Sequence, residues 1–352
     1  EYYTIETGAQ YAINNVSNDF AVTDLIDDIW VENPDLTNIF DLDQYVFALY
    51  TTGAFEGDRW GIKIGLRLEN TQINTLLETT NESNKQNYTN IFPSAYTSYK
   101  VSDDFSMQIG YSKRINRPSL RQLNPFSNIR NNFSISEGNP NLQPEFTDSY
   151  ELTSIHKFDK VSLSFSLYNR YTTDAVERIT VFEENVSISR PENVGTNNTT
   201  GFEANGKYSP LDWLTINGDF NFNYFDRKGF FELQSFDFKG NRWSTRLTSK
   251  LKLPAQFDFE ISGDYNSEYE TLQQVVSDII FIDIGLRKKI VKGRIILNLS
   301  IRDLFASRVD ETTTSQPDFY LFNSRQRGRF VNFGVSYGFG KGEAMEFSGQ
   351  RR

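Results

Sequence analysis

Apolar and polar residues alternate with period two in segment after segment of this chain, the spacing of strands whose successive side chains point to opposite faces. Ile280, Ile282, Ile284 and Leu286 alternate with Phe281, Asp283, Gly285 and Arg287, and Ile295, Leu297, Leu299 and Ile301 alternate with Asn298, Ser300 and Arg302. Leu214, Ile216, Phe220, Phe222 and Tyr224 stand in the same way against Thr215, Asn217, Asp219, Asn221 and Asn223. Val161, Leu163, Phe165 and Leu167 oppose three serines, and Trp60, Ile62, Ile64, Leu66 and Leu68 face away from Lys63, Arg67 and Glu69. The polar members are too polar to form a second protein core, so each strand has one wet face.

The connections follow a second rule. Short polar links occur at Glu56-Gly57-Asp58, Ser102-Asp103-Asp104, Phe158-Asp159-Lys160, Ser209-Pro210-Leu211-Asp212, Pro254-Ala255-Gln256 and Lys292-Gly293. Between successive links lie one strand, a long polar segment and another strand, the asymmetry of tight periplasmic turns and large extracellular loops in a transmembrane β-barrel. A soluble sandwich also alternates but gives no reason for that asymmetry. The pattern predicts about 14 antiparallel strands, starting near Tyr3, Asp41, Trp60, Ile91, Phe105, Phe146, Val161, Thr200, Leu214, Arg242, Phe257, Ser277, Arg294 and Arg327. Outside loops are expected at about 16–40, 70–90, 113–145, 172–199, 226–241, 266–276 and 306–325. The barrel is expected over 1–339, ending on Val331, Phe333, Val335, Tyr337 and Phe339 at the periplasmic interface, with 340–352 as a polar periplasmic tail.

Composition sharpens this picture. A hydrophobic content of 38% and a mean hydropathy of -0.52 leave no apolar helix long enough to cross a bilayer, whereas 30 Phe and 18 Tyr suit an interfacial aromatic belt. A net charge of -10 and a pI near 4.9 set nucleic acid aside as a partner. The chain has no cysteine, hence no thiolate nucleophile or disulfide. It opens Glu1-Tyr2-Tyr3-Thr4-Ile5 without a basic, apolar leader, so the N-terminus of an exported protein is expected to be processed or truncated. Charges of both signs on the polar phase, among them Lys63, Arg67, Arg246, Lys250, Lys252, Asp258, Glu260, Asp264, Asp283, Arg287 and Arg302, imply a water-filled or plug-filled lumen.

Conventional chemistry is sparse. The single histidine, His156, lies beside a short turn without a placed nucleophile or carboxylate, which argues for a surface position and against an enzyme. Asp24, Asp27 and Asp28, or Asp310 with Glu311, lack the spacing of a Ca²⁺ loop and read as solvated loop charge, so no metal and no cofactor is expected.

A family becomes visible in mid-chain. The run Gly110-Tyr111-Ser112-Lys113-Arg114-Ile115-Asn116-Arg117-Pro118-Ser119, then Leu123-Asn124-Pro125-Phe126, then Glu137-Gly138-Asn139-Pro140-Asn141-Leu142-Gln143-Pro144-Glu145, resembles the barrel of TonB-dependent receptors, particularly the outer-membrane β-barrel family common in Bacteroidetes. Glu192-Asn193-Val194-Gly195 with Gly201-Phe202-Glu203, and the closing Val335-Ser336-Tyr337-Gly338-Phe339-Gly340-Lys341-Gly342, are similar to the same family. The resemblance implies a twenty-two-stranded barrel behind a plug domain, of which these residues would supply the last fourteen strands, the plug, TonB box and first strands being absent from this stretch. An open sheet of fourteen strands would leave two unpaired edges in lipid, so other residues are expected to complete the wall.

Candidate site residues are those of the motif: Arg114, Asn116, Arg117, Pro118, Asn124, Pro125, Phe126, Gly138, Asn139, Pro140, Leu142, Pro144 and Glu145. Its prolines fix several φ angles and favour a defined path, so a structural role at the barrel rim is preferred over ligand contact. The resemblance implies energised uptake of a nutrient; the alternatives are a docking barrel in a larger envelope assembly and a passive 14-stranded porin. The partners expected are outer-membrane lipid and lipopolysaccharide, TonB acting through a plug, and a surface lipoprotein.

Overall fold

The computed structural model describes residues 2–339 apart from 35, 127, 132–133, 184–185, 232–233, 272, 292 and 317–318. Fourteen strands form the wall: β1 (Tyr2–Phe20), β2 (Asn38–Glu56), β3 (Trp60–Leu77), β4 (Glu82–Lys100), β5 (Phe105–Asn116), β6 (Glu145–Phe158) and β7 (Val161–Glu183), followed by β8 (Val186–Leu211), β9 (Leu214–Phe231), β10 (Gln234–Leu253), β11 (Phe257–Asn266), β12 (Ile279–Ile290), β13 (Ile295–Arg302) and β14 (Phe330–Tyr337). Each pairs antiparallel with the next in the chain, an up-and-down meander. Among the described residues nothing pairs β1 with β14, so both keep a free edge.

The short links lie at turns between wall strands, Lys292 of the last one falling outside the described residues, and the alternation sets the two faces. On β3, Ile62, Ile64, Leu66 and Leu68 lie on the outer surface while Gly65 and Glu69 are buried on the inner one. Leu49 of β2 faces out opposite Leu68, and Ala48 faces in opposite Glu69. Rings gather at the periplasmic end of the outer face: Trp60 on Tyr99 with centroids 4.4 Å apart, Tyr3 on Phe55 at 5.0 Å, and Phe105 stacked on His156 at 4.5 Å. His156 therefore belongs to an interfacial aromatic cluster, whose amphipathic rings suit the boundary between lipid and water.

The expected loops need correction. Most of 70–90, 172–199 and 226–241 is not loop: β3 and β4 run to Leu77 and from Glu82, β7 and β8 to Glu183 and from Val186, and β9 and β10 to Phe231 and from Gln234. The outer-face alternation stops at the membrane surface because only lipid demands apolar side chains there, whereas the backbone ladder continues into water. The four other expected loops carry small strands. Thr23–Ile26 pairs with Ile29–Glu32 around Asp27 and Asp28, both at positive φ, and Tyr269–Glu270, Val275–Val276, Val309–Gln316 and Phe319–Gln326 form a separate four-stranded sheet. In the loop at 113–145, Asn128–Asn131 and Ser134–Ser136 follow a short helix α1 (Leu120–Leu123), and Ser134–Ser136 adds to β8 in parallel. The tail 340–352 lies outside the described residues.

Several glycines sit beneath aromatic rings of the neighbouring strand. A Cβ on Gly110 would come within 2.9 Å of the Tyr96 ring, and one on Gly201 would strike the Tyr168 ring and approach the Phe222 carbonyl to 2.7 Å. Ring and missing side chain fill each other's space, the arrangement that restores packing lost at a strand glycine.

Candidate functional site

The motif segment folds into the barrel. The ladder between β4 and β5 stops at Ser94 and Ser112, beside Pro93, which has no N–H to offer another rung. Past Asn116 the chain leaves the wall and crosses the inner face as the segment 117–144, returning at β6. Leu123 and Leu142 pack there with Phe40 and Leu42 of β2 and Ile73 and Leu77 of β3, all six no more than 7% exposed. Tyr88, Leu120 and Val176 border this cluster. It is an apolar core inside the extracellular half of the barrel, and removal of its surface from water holds the segment down.

Polar contacts fix its position. The Arg117 guanidinium pairs with buried Glu69, donates to the Thr71 hydroxyl at 2.9 and 3.2 Å, and shares Glu69 with Arg67 at 2.5 Å. Pro118 and Pro144 are buried at the two ends of the segment, and between them the chain bonds to itself: Gly138 N–H donates to Asn124 O at 2.8 Å and Asn139 N–H to Gln122 O at 2.7 Å. A Cβ at Gly138 would lie 2.7 Å from Gln122 O, so this crossing admits only glycine. Gln86 of β4 donates to Pro140 O at 3.2 Å and Leu142 O at 3.0 Å, and Asn139 Nδ2 donates to Glu192 of β8 at 2.9 Å. Glu145 accepts from Asn116 Nδ2 and from Val176 N–H, both at 2.7 Å.

Of the remaining motif residues, Asn124 accepts from Asn38 at 3.4 Å, Phe126 approaches Phe20 with ring centroids 6.1 Å apart, Pro125 is half-buried beside them, and Arg114 stands at the open seam. The motif is thus brought together as a docking device rather than a constellation aimed at a ligand. Sequence reasoning missed its receptors, Glu69, Gln86 and Asn193. Asn193 takes Gln143 N–H at 2.8 Å and donates to Gln143 O at 3.0 Å. Their position on the inner phase, next to strands leading into the rim, was the available signal.

Elsewhere the inner face is a wet wall of matched charge. Arg246 of β10 grips Asp264 of β11 at 2.6 Å, Lys250 meets Glu260 at 3.2 Å, and Arg227 of β9 meets Glu177 of β7 at 2.7 Å. Glu177 stands in the extracellular extension; burial there pushes its carboxyl above the ordinary range, against the pull of Arg227 and with added repulsion from Glu145. At the periplasmic turns a cavity of about 670 Å³ opens, lined by inward residues such as Lys63, Gln108, Glu151 and Thr153. No group of three or more histidine, aspartate or glutamate side chains suited to a metal ion occurs among the described residues.

An antiparallel meander with a lipid-facing apolar surface, an interfacial aromatic cluster and a charged interior defines a transmembrane β-barrel. Residues 1–337 match the model of the outer membrane protein beta-barrel family, and the chain belongs to that family and to the bacterial outer membrane. Among solved structures it is similar to the copper transporter OprC (TM-score 0.70, 10% identity, 96% of this chain and 56% of that one). It is also similar to the unliganded ferric citrate transporter FecA (0.64, 12%, 95% and 51%) and to the ferric yersiniabactin uptake receptor FyuA from Yersinia pestis (0.59, 14%, 94% and 51%). The chain spans about half the length of these structures, and identities this low speak for shared fold alone. No curated protein matches.

Proposed function

We propose that this chain is the C-terminal barrel portion of a TonB-dependent transporter that carries a nutrient ligand across the outer membrane. The observation that carries the reading is the inner face: fourteen strands present a polar wall of paired charges with a polypeptide segment docked across it, the lining of a regulated passage. The named transporters among its structural neighbours support the same reading. TonB would act through a plug supplied by other residues. A passive porin of these strands alone is disfavoured, because it would need β1 and β14 to pair.

A docking role keeps one observation in its favour. The hairpin of Thr23–Ile26 and Ile29–Glu32 exposes Leu25, Ile26, Ile29 and Trp30 by 55 to 67%, a surface of the kind that a surface lipoprotein would cover. Intact mass with N-terminal peptide mapping of the protein purified from membranes separates these readings. A mass far above 40.7 kDa with plug-like peptides ahead of Glu1 is expected. A mass near 40.7 kDa would sink the transporter and leave a barrel completed by another subunit.

A further inference from the structure

The docked segment buries its motif residues against the wall and presents other residues on its far side. There it forms one wall of a cavity of about 440 Å³ at the extracellular mouth. Four parts of the chain converge on it: the α1 turn with Ser119, Arg121 and Gln122; the added strand Ser134–Ser136; the extensions of β7 and β8; and the separate four-stranded sheet. The last is pinned to β7 by Gln273, which donates to Thr180 O and accepts from Thr180 N–H, both at 3.0 Å. That contact repeats one strand-like rung between two elements far apart in sequence.

The lining is chemically one-sided. Among the described residues that line it, seven carry hydroxyls, three are amides and two are arginines, Arg121 and Arg178, and none is a carboxylate. The cavity on the inner wall between β8 and β12 differs: it holds Glu203, Asp219 and Asp264 beside Arg246 and Arg308. Two of the hydroxyl residues of the mouth cavity, Ser187 and Thr314, are 7% and 3% exposed. Arg178 gathers the Ser136 hydroxyl at 3.0 Å and the Ser189 hydroxyl at 3.2 Å on one face of the β7–β8 extension. Arg121, on the facing turn, has no hydrogen-bond or ion-pair partner among the described residues. On a chain of net charge -10, this is a concave patch whose described lining is rich in donors and holds two guanidinium groups.

We propose that this mouth cavity is a recognition site for a ligand bearing clustered oxyanions, carboxylate, phosphate or sulfate, held between Arg121 and Arg178 with the hydroxyls completing its hydrogen bonds. Guanidinium binds such groups in planar, two-pronged geometry, and hydroxyls adapt to the remaining lone pairs. The proposal rests on the uptake reading for its biological sense, but binding itself needs no energised step.

The test is equilibrium binding of inorganic pyrophosphate to the full-length protein in detergent at low salt, with maltotriose as the neutral, hydroxyl-rich competitor. Arg121→Glu lies on an exposed turn and leaves the core untouched; Lys113→Gln on the outer face is the control. Wild type and control should bind pyrophosphate, Arg121→Glu should weaken it by about tenfold or more, and maltotriose should not displace it. Arg178→Lys, which keeps the charge but not the two-pronged geometry, should give an intermediate loss. No binding by wild type, equal binding by Arg121→Glu, or displacement by maltotriose would each overturn the assignment. If binding behaves as expected and the protein proves to be no transporter by mass and peptide map, the site stands and the uptake reading falls.

Discussion

The strongest test of the docked segment is removal of Arg117. Its side chain is 20% exposed and Glu69 only 9%, so the pair sits largely out of water, and Arg117→Ala leaves a buried carboxylate with one partner in place of two. Breaking a buried ion pair by deleting one member costs about 3–5 kcal/mol; because Arg67 still holds Glu69, the lower end, about 3 kcal/mol, applies. The wall does not depend on this pair, since its strands are joined rung by rung. The loss should therefore fall on the docking of 117–144 and raise its opening about a hundredfold, at tenfold per 1.4 kcal/mol. Hydrogen exchange by mass spectrometry reads this directly, with peptides of β8 and β9 as internal reference. Faster exchange confined to 117–144 is expected, with Arg117→Lys falling between, since an ammonium cannot bridge Glu69 and Thr71 as a guanidinium does. Unchanged exchange in that segment, or acceleration spread over the wall, would refute the reasoning.

Leu123→Ala should loosen the segment by about 2–5 kcal/mol, the cost of a cavity in a closed core, visible as proteolytic cleavage within 117–144 while heat-resistant barrel mobility on gels persists. Gly201→Ala should destabilise the barrel by about 1–3 kcal/mol in urea titrations because both the Tyr168 ring and a backbone carbonyl must yield, whereas Gly53→Ala, with open space around it, should be near neutral. Ile64→Lys, on the 62% exposed lipid side of β3, should cost about 2–4 kcal/mol in refolding into vesicles, unlike a polar change at inward Lys63. Glu177 has a folded pKa raised above its unfolded value, so the folded extension binds the proton more tightly and is most stable at low pH. That stability is lost as pH rises through the window above the ordinary carboxylate value, and Glu177→Gln should flatten this pH dependence of exchange in the β7–β8 hairpin.

Period-two alternation in strands such as Trp60–Leu68 determined the strand count, the inner and outer faces and the six tight turns, because a wall between lipid and water demands opposite chemistry at successive residues. The motif too was visible, and its prolines pointed to a fixed path. The height of the strands was not legible: beyond the lipid, residues such as Thr71, Gln72 and Asn74 look like loop, yet their backbone groups still pair across β2 and β4. Nor did the sequence reveal that the motif turns inward. Leu123 and Leu142 carry no sign of their receptors, which lie some fifty residues or more away on β3 and further still on β2, and only the pairing of the wall strands and the inward turn of the segment bring Ile73, Phe40 and Glu69 beneath it. The mouth cavity is the clearest case, since its arginines and hydroxyls come from four segments whose distance apart is set by tertiary packing and by no local pattern.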